Sequence, residues 1–155
     1  MPDWRADGII LSVRPHGENS AVLSVLTANH GRHAGLVRGG GSLKIRGIIQ
    51  PGNRVRVNWR ARLKEQLGQM QIELVKSVPA MLLHSPLRLS GVASMCAILN
   101  ESLPEREAQT SLYNGSIALL DAIVLDDENT CWLEGYVRWE LGLLAAVGYR
   151  LDLTR

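Results

Sequence analysis

The spacing of apolar residues changes once along this chain, and that change limits the folds open to it. In the first half apolar and polar side chains alternate. Ile9, Leu11 and Val13 fall on one face, Ser12 and Arg14 on the other. Residues 21–27 read as a strand apolar on both faces, and residues 33–38 as a third strand. Val55, Val57, Trp59 and Ala61 alternate with Arg54, Arg56, Asn58, Arg60 and Arg62, and Met70, Ile72 and Leu74 alternate with Gln71 and Glu73. A period of two with β-branched residues marks half-buried strands. Gly, Pro and Asn clusters at 15–19, 39–42 and 50–53 punctuate them. From Ser85-Pro86, a cap followed by Pro at the first helical position, the period becomes 3.6. Leu89, Val92, Ala93, Cys96 and Leu99 form one stripe, and residues 107–125 form a second helix. Asp126 to Thr130 read as a turn plus cap, residues 131–147 as a third helix, and Gly148 suits the position after its end. The third helix carries two stripes, one with Trp132, Tyr136, Trp139 and Leu143, the other with Leu133, Val137, Leu141 and Leu144. A helix apolar on two sides is packed on both or offers one to a partner.

Five short strands followed by helices predict an α+β chain. A five-stranded barrel of the oligonucleotide-binding (OB) type spans residues 1–77, and an all-α domain spans 78–155. Residues 77–84 are not Gly/Ser-rich, so a packed junction is expected. The last residues, Tyr149 to Arg155, read as a chain that continues, so the helical domain is expected to be C-terminally incomplete.

Charge follows the same division. The chain of 155 residues has a formal net charge of +2, which by itself argues against a strongly basic nucleic-acid binder. Residues 1–76, however, hold 12 Lys and Arg against 5 Asp and Glu, and residues 77–155 hold 5 against 10. No acid lies between Glu18 and Glu65, a stretch with nine basic residues. Arg54, Arg56, Arg60 and Arg62 share a strand phase, with roughly 6.6 Å between residues two apart, and are expected to form one guanidinium row. Such a row favours a line of counter-anions, as a nucleic-acid backbone supplies. A solvated sheet face is the plainer alternative. Arg38-Gly39-Gly40-Gly41-Ser42-Leu43-Lys44-Ile45-Arg46 reads as a mobile loop whose glycines let a phosphate approach, flanked by basic residues. It lacks the spacing of a phosphate-binding nucleotide fingerprint.

Other chemistry finds little support. Cys96 and Cys131 stand 35 residues apart without a metal-ligand spacing. His16, His30 and His33 read as loop histidines, and His84 as a junction residue. Asp126, Asp127 and Glu128 are explained by capping before a metal is needed. No nucleophile–base arrangement appears, so no enzyme, metal or cofactor is expected within these residues. Phe is absent, and Trp59 falls on the inward phase of its strand, so binding should rest on electrostatics more than on stacking. No apolar run reaches the length of a membrane span, and a cytoplasmic protein is expected.

The motifs also carry a resemblance. Arg14-Pro15-His16-Gly17-Glu18-Asn19-Ser20, Leu26-Thr27, His30-Gly31-Arg32, Arg38-Gly39-Gly40 and Ile49-Gln50-Pro51-Gly52 resemble the N-terminal domain of the RecO family of DNA repair proteins. Leu99-Asn100-Glu101-Ser102-Leu103-Pro104 and the run Tyr136 to Leu144 with Gly148-Tyr149 resemble its helical part, in colinear order. The resemblance implies a recombination mediator. It would bind single- and double-stranded DNA, anneal complementary strands, and help load RecA together with RecR, and with RecF in some settings. It would also bind the acidic, apolar C-terminal tail of single-stranded-DNA-binding protein, and be cytoplasmic, on the nucleoid during repair. Family members often carry a cysteine zinc motif, which would lie beyond these residues. Phosphate contacts are then expected from Arg38, Lys44, Arg46, Arg54, Arg56, Arg60, Arg62 and Lys64, with Gly39, Gly40 and Gly41 as the flexible loop. Rival readings are an OB-type RNA-binding adaptor and a protein-interaction scaffold that does not bind DNA.

Overall fold

The computed structural model describes residues 2–39, 41–126 and 131–148. Five strands run in the order β1 (Asp3–His16), β2 (Ser20–Thr27), β3 (Gly31–Arg38), β4 (Arg54–Arg60) and β5 (Gln69–Lys76). They close into a barrel in the spatial order β1-β2-β3-β5-β4. All neighbouring pairs are antiparallel except β3 with β5, which is parallel and joined at a single bridge, Leu36 to Gln69. A short helix α1 (Leu43–Ile48) separates β3 from β4. Then follow α2 (Val78–Met81), α3 (Pro86–Ser102), α4 (Thr110–Leu125) and α5 (Trp132–Ala146). The OB-type barrel followed by helices is the fold that the periodicity predicts.

The barrel interior holds Ile10, Leu23, Val25, Val37, Val55, Val57, Trp59 and Met70. A second core joins the barrel to the helices. Ile9, Leu11 and Leu26 from the outer face of β1 and β2 pack with Val92, Met95, Cys96 and Leu99 of α3 and with Leu119, Leu120 and Ile123 of α4. This is why residues 21–27 read as apolar on both faces: one face lines the barrel, the other lies under helices.

Strict alternation fails in β1. The pairing register with β2 shifts between Ile10 and Ser12, so Leu11 is the extra residue of a bulge. Ile10 and Val13 therefore both face the barrel interior, while Ile9 and Leu11 face the helices. The expected common face of Ile9, Leu11 and Val13 is thus corrected. The Cys96 thiol donates to the Ile10 carbonyl across this junction, and burial pushes it up to about 12.

The connection between the halves is packed: Val78 and Leu82 are fully buried. His84 stands at this junction, with Nε2 2.8 Å from Nη2 of the buried Arg88. Arg88 donates to the carbonyls of Ile123 and Val124, placing a cation at the C-terminus of α4, where the helix dipole favours one. Asp126 accepts from the Trp132 amide and caps α5, as read from its position; Asp127 to Thr130 lie outside the described residues. Of the two stripes on α5, Trp132, Trp139 and Leu143 are buried with Tyr136 beside them, and Leu133, Val137 and Leu141 are exposed. Among the described residues, no helix is long and apolar enough to cross a membrane.

Candidate nucleic-acid interface

Residues of one phase on β4, Arg54, Arg56, Asn58 and Arg60, do point outward, but their charges are not equally free. Arg54 reaches Asp121 of α4 at 3.3 Å, and Lys76 shares that carboxylate at 3.6 Å. Arg56 lies opposite Asp7 on β1 and Glu73 on β5, with contacts of 3.5 and 3.9 Å. Arg62 falls past the end of the strand, and Lys64 lies with it in the β4–β5 loop. The expected row of four guanidinium groups is therefore corrected. Arg54 faces the helices, Arg56 is flanked by two acids, Arg60 lies opposite Asp3 in register without an ion pair between them, and Arg62 remains. Among the described residues no carboxylate pairs with Arg38, Lys44, Arg46, Arg60, Arg62 or Lys64.

Part of the glycine-rich segment is helical, Leu43–Ile48 forming α1. The Ser42 side chain accepts from the Ile45 amide and caps α1, so Lys44 and Arg46 stand on a helix rather than in a loop. Gly39 has a φ of 77° and donates to the Asn19 carbonyl, tying the segment to the β1–β2 turn. Gly40 lies outside the described residues.

Two hollows adjoin along β4 and β5. One, of about 360 Å³, lies between β3, β5 and α1, and both Arg38 and Arg60 line it. Its neighbour, of about 350 Å³, is lined by Arg5, Arg56 and Glu73. They share Asn58, Gln71 and Ile72, so together they form one track from Arg38 and Arg60 to Arg56 and Arg5. Arg46 is not on this track. It lines a separate hollow with Gly41 and Glu18. Arg5 and the three amides Asn58, Gln69 and Gln71 escape a reading based on charge runs, although the position of Asn58 between arginines was visible.

The track's far loop is held by a residue that the sequence did not single out. Arg106, in the connection between α3 and α4, adopts a φ of 61°. Its guanidinium donates to the carbonyls of Lys64 and Gln66 and lies 5.4 Å from the Trp59 ring centre. Its amide donates to the Arg32 carbonyl, and Arg32 in turn donates to Leu103. Gly31, at a φ of 64°, leaves no room for a side chain, because an added Cβ would lie 2.0 Å from the Glu107 carbonyl oxygen. The helical half thus grips both the β2–β3 turn and the basic β4–β5 loop.

Beneath this grip lies an aromatic cluster. Trp59 is buried, as its phase predicts. Trp4 stacks on His30 with ring centres 4.2 Å apart, and His33 packs edge-on against Trp4 and Trp59. His33 is thus a buried strand residue, not the expected loop histidine. Desolvation lowers its pKa to about 4; the Ala34 carbonyl opposes this, while Arg106 and His30 add to it. The folded value lies below the ordinary 6.5, so the unfolded chain binds the extra proton. Stability is then fully present above about pH 6.5 and falls as pH drops from there toward 4. His33→Phe is expected to flatten that part of a melting-temperature profile, measured between pH 7.5 and 4 at about one-unit steps.

The pairing pattern yields a second expectation. Removing one phosphate contact weakens single-strand binding about fourfold near physiological salt. Arg60→Ala is expected to show that loss, whereas Arg56→Ala, whose charge Asp7 and Glu73 already offset, should change affinity by less than about twofold. Fluorescence anisotropy with a labelled single strand measures both.

On the helical side, an apolar hollow of about 460 Å³ opens between α4 and α5. Leu112, Leu119 and Trp139 line it, with Arg138 among its polar residues.

Comparison with known proteins agrees with this architecture. Residues 1–78 match the family model described as Recombination protein O N terminal, and residues 83–155 match Recombination protein O C terminal. A DNA repair protein RecO from Rhodospirillum centenum is 49% identical over 150 residues, covering 97% of this chain and 58% of the relative. Its counterparts in Rhodospirillum rubrum and Cereibacter sphaeroides are 45% and 48% identical, covering 99% and 100% of this chain and 62% and 63% of theirs. The chain therefore spans about three fifths of the length of these curated relatives. With both family models matched along a barrel-plus-helices architecture, this chain belongs to the RecO family.

Proposed function

We propose that this chain is the DNA-handling part of a non-enzymatic recombination mediator in DNA repair. Residues 1–77 bind single- and double-stranded DNA, and residues 78–155 meet protein partners. The observation that carries this reading is the set of basic side chains, Arg38, Lys44, Arg60, Arg62 and Lys64, that have no carboxylate partner among the described residues of a RecO-family chain. Arg54 and Arg56 contribute less, because acids already face them. Arg46, on the far side of α1, touches a strand only if it wraps the barrel end.

Neutralising phosphates on two strands lowers their mutual repulsion, so complementary strands meet and anneal without any covalent step. The apolar hollow between α4 and α5 takes the C-terminal tail of single-stranded-DNA-binding protein, and Arg138, which pairs with Glu134 at 2.8 Å, exchanges that partner for the tail's acids. That contact brings the mediator to coated strands in the cytoplasm, on the nucleoid, where it works with RecR to admit RecA. A strand-annealing assay, with and without the tail peptide, tests both halves of the reading. Annealing that this chain accelerates, and that the peptide modulates, supports it. No acceleration on naked strands contradicts the DNA function.

A further inference from the structure

The hollow between β3, β5 and α1 holds more than arginines. The strands on either side of it touch at one bridge only, and the Leu36 amide donates to the Gly68 carbonyl there. Past that point α1 stands beside β5, and Ile45, Ile48 and Ile72 form an apolar wall. Asn58 and Gln71 face each other across the β4–β5 ladder, next to the pair Arg60 and Gln69. Among the described residues, the three side-chain amides make no hydrogen bond to protein, and no carboxylate lines the hollow.

We propose that this hollow receives an unpaired nucleobase of the bound strand, with Asn58, Gln69 and Gln71 contacting its edge. Chemistry separates base from phosphate here. A phosphate oxygen only accepts, so it uses the NH2 half of each amide and leaves the carbonyl half idle. A base edge offers donors and acceptors together, which amides match on both counts. The apolar wall suits the face of a ring, and Arg38 and Arg60 at the rim suit the phosphates on either side. A base stacked inside a duplex cannot enter a recess, so the site favours single strands.

The inference rests on the DNA-binding reading, and one experiment separates the two. This chain is titrated against a labelled mixed-sequence single strand and against an abasic strand of equal length, at one salt concentration. Wild type is expected to bind the base-bearing strand about tenfold more tightly. The variant Asn58→Ala/Gln71→Ala, with unchanged melting temperature, is expected to bind both strands as wild type binds the abasic one. Equal affinity of wild type for both strands overturns the nucleobase site while leaving backbone binding intact. Failure to bind either strand overturns the DNA-binding reading itself, and the site with it.

Discussion

Trp59→Ala is expected to lower folding stability by about 3–5 kcal/mol, the range for emptying a large buried aromatic site. The ring is 2% exposed and belongs to the barrel core. Its loss removes the partner of Trp4 and His33, frees the Leu67 carbonyl that accepts from its indole, and takes away the surface under Arg106. The loop carrying Arg62 and Lys64 thereby loses two anchors at once. Urea unfolding should show the lower midpoint. Amide exchange in residues 62–68 should accelerate beyond the global change. Trp59→Phe, which keeps a ring under Arg106 but not the indole donor to Leu67, should recover most of the stability and only part of the loop protection.

The fourfold variant Arg38→Ala/Arg60→Ala/Arg62→Ala/Lys64→Ala is expected to weaken single-strand binding on the order of a hundredfold near physiological salt. All four side chains are exposed and pair with no acid among the described residues, so removing them breaks no ion pair there and opens no cavity. Stability should change little, since surface substitutions usually stay within about 0.5 kcal/mol each. The matched control, Arg54→Ala/Arg56→Ala, removes charges already offset by Asp7, Glu73 and Asp121. It should cost much less affinity, although losing the Arg54–Asp121 link loosens α4 against the barrel. A charge count along the sequence would rank these arginines equally.

That difference shows where sequence reading reaches its limit. The strands, the inward Trp59, the packed junction and the cap supplied by Asp126 follow from local period and residue type. The Leu11 bulge does not, because it is defined by what lies opposite, not by what lies adjacent. The partners of Arg54 and Arg56 depend on register and on a helix more than sixty residues away. Ser42 before Leu43-Lys44-Ile45 did carry a capping signal for α1, and the neighbouring glycines masked it. Arg106 left no trace, since an exposed arginine in a loop looks the same whether or not it grips two carbonyls.

Basic residues on the barrel without acid partners among the described residues are proposed to bind the DNA backbone. The most direct test of that binding is the salt dependence of single-strand affinity for wild type and the fourfold variant. Log affinity is expected to fall linearly with log salt, by about 0.7 per phosphate contacted, with a slope shallower by up to about 2.8 in the variant. A wild-type affinity that stays flat as salt rises, or identical slopes for the two proteins, would contradict it.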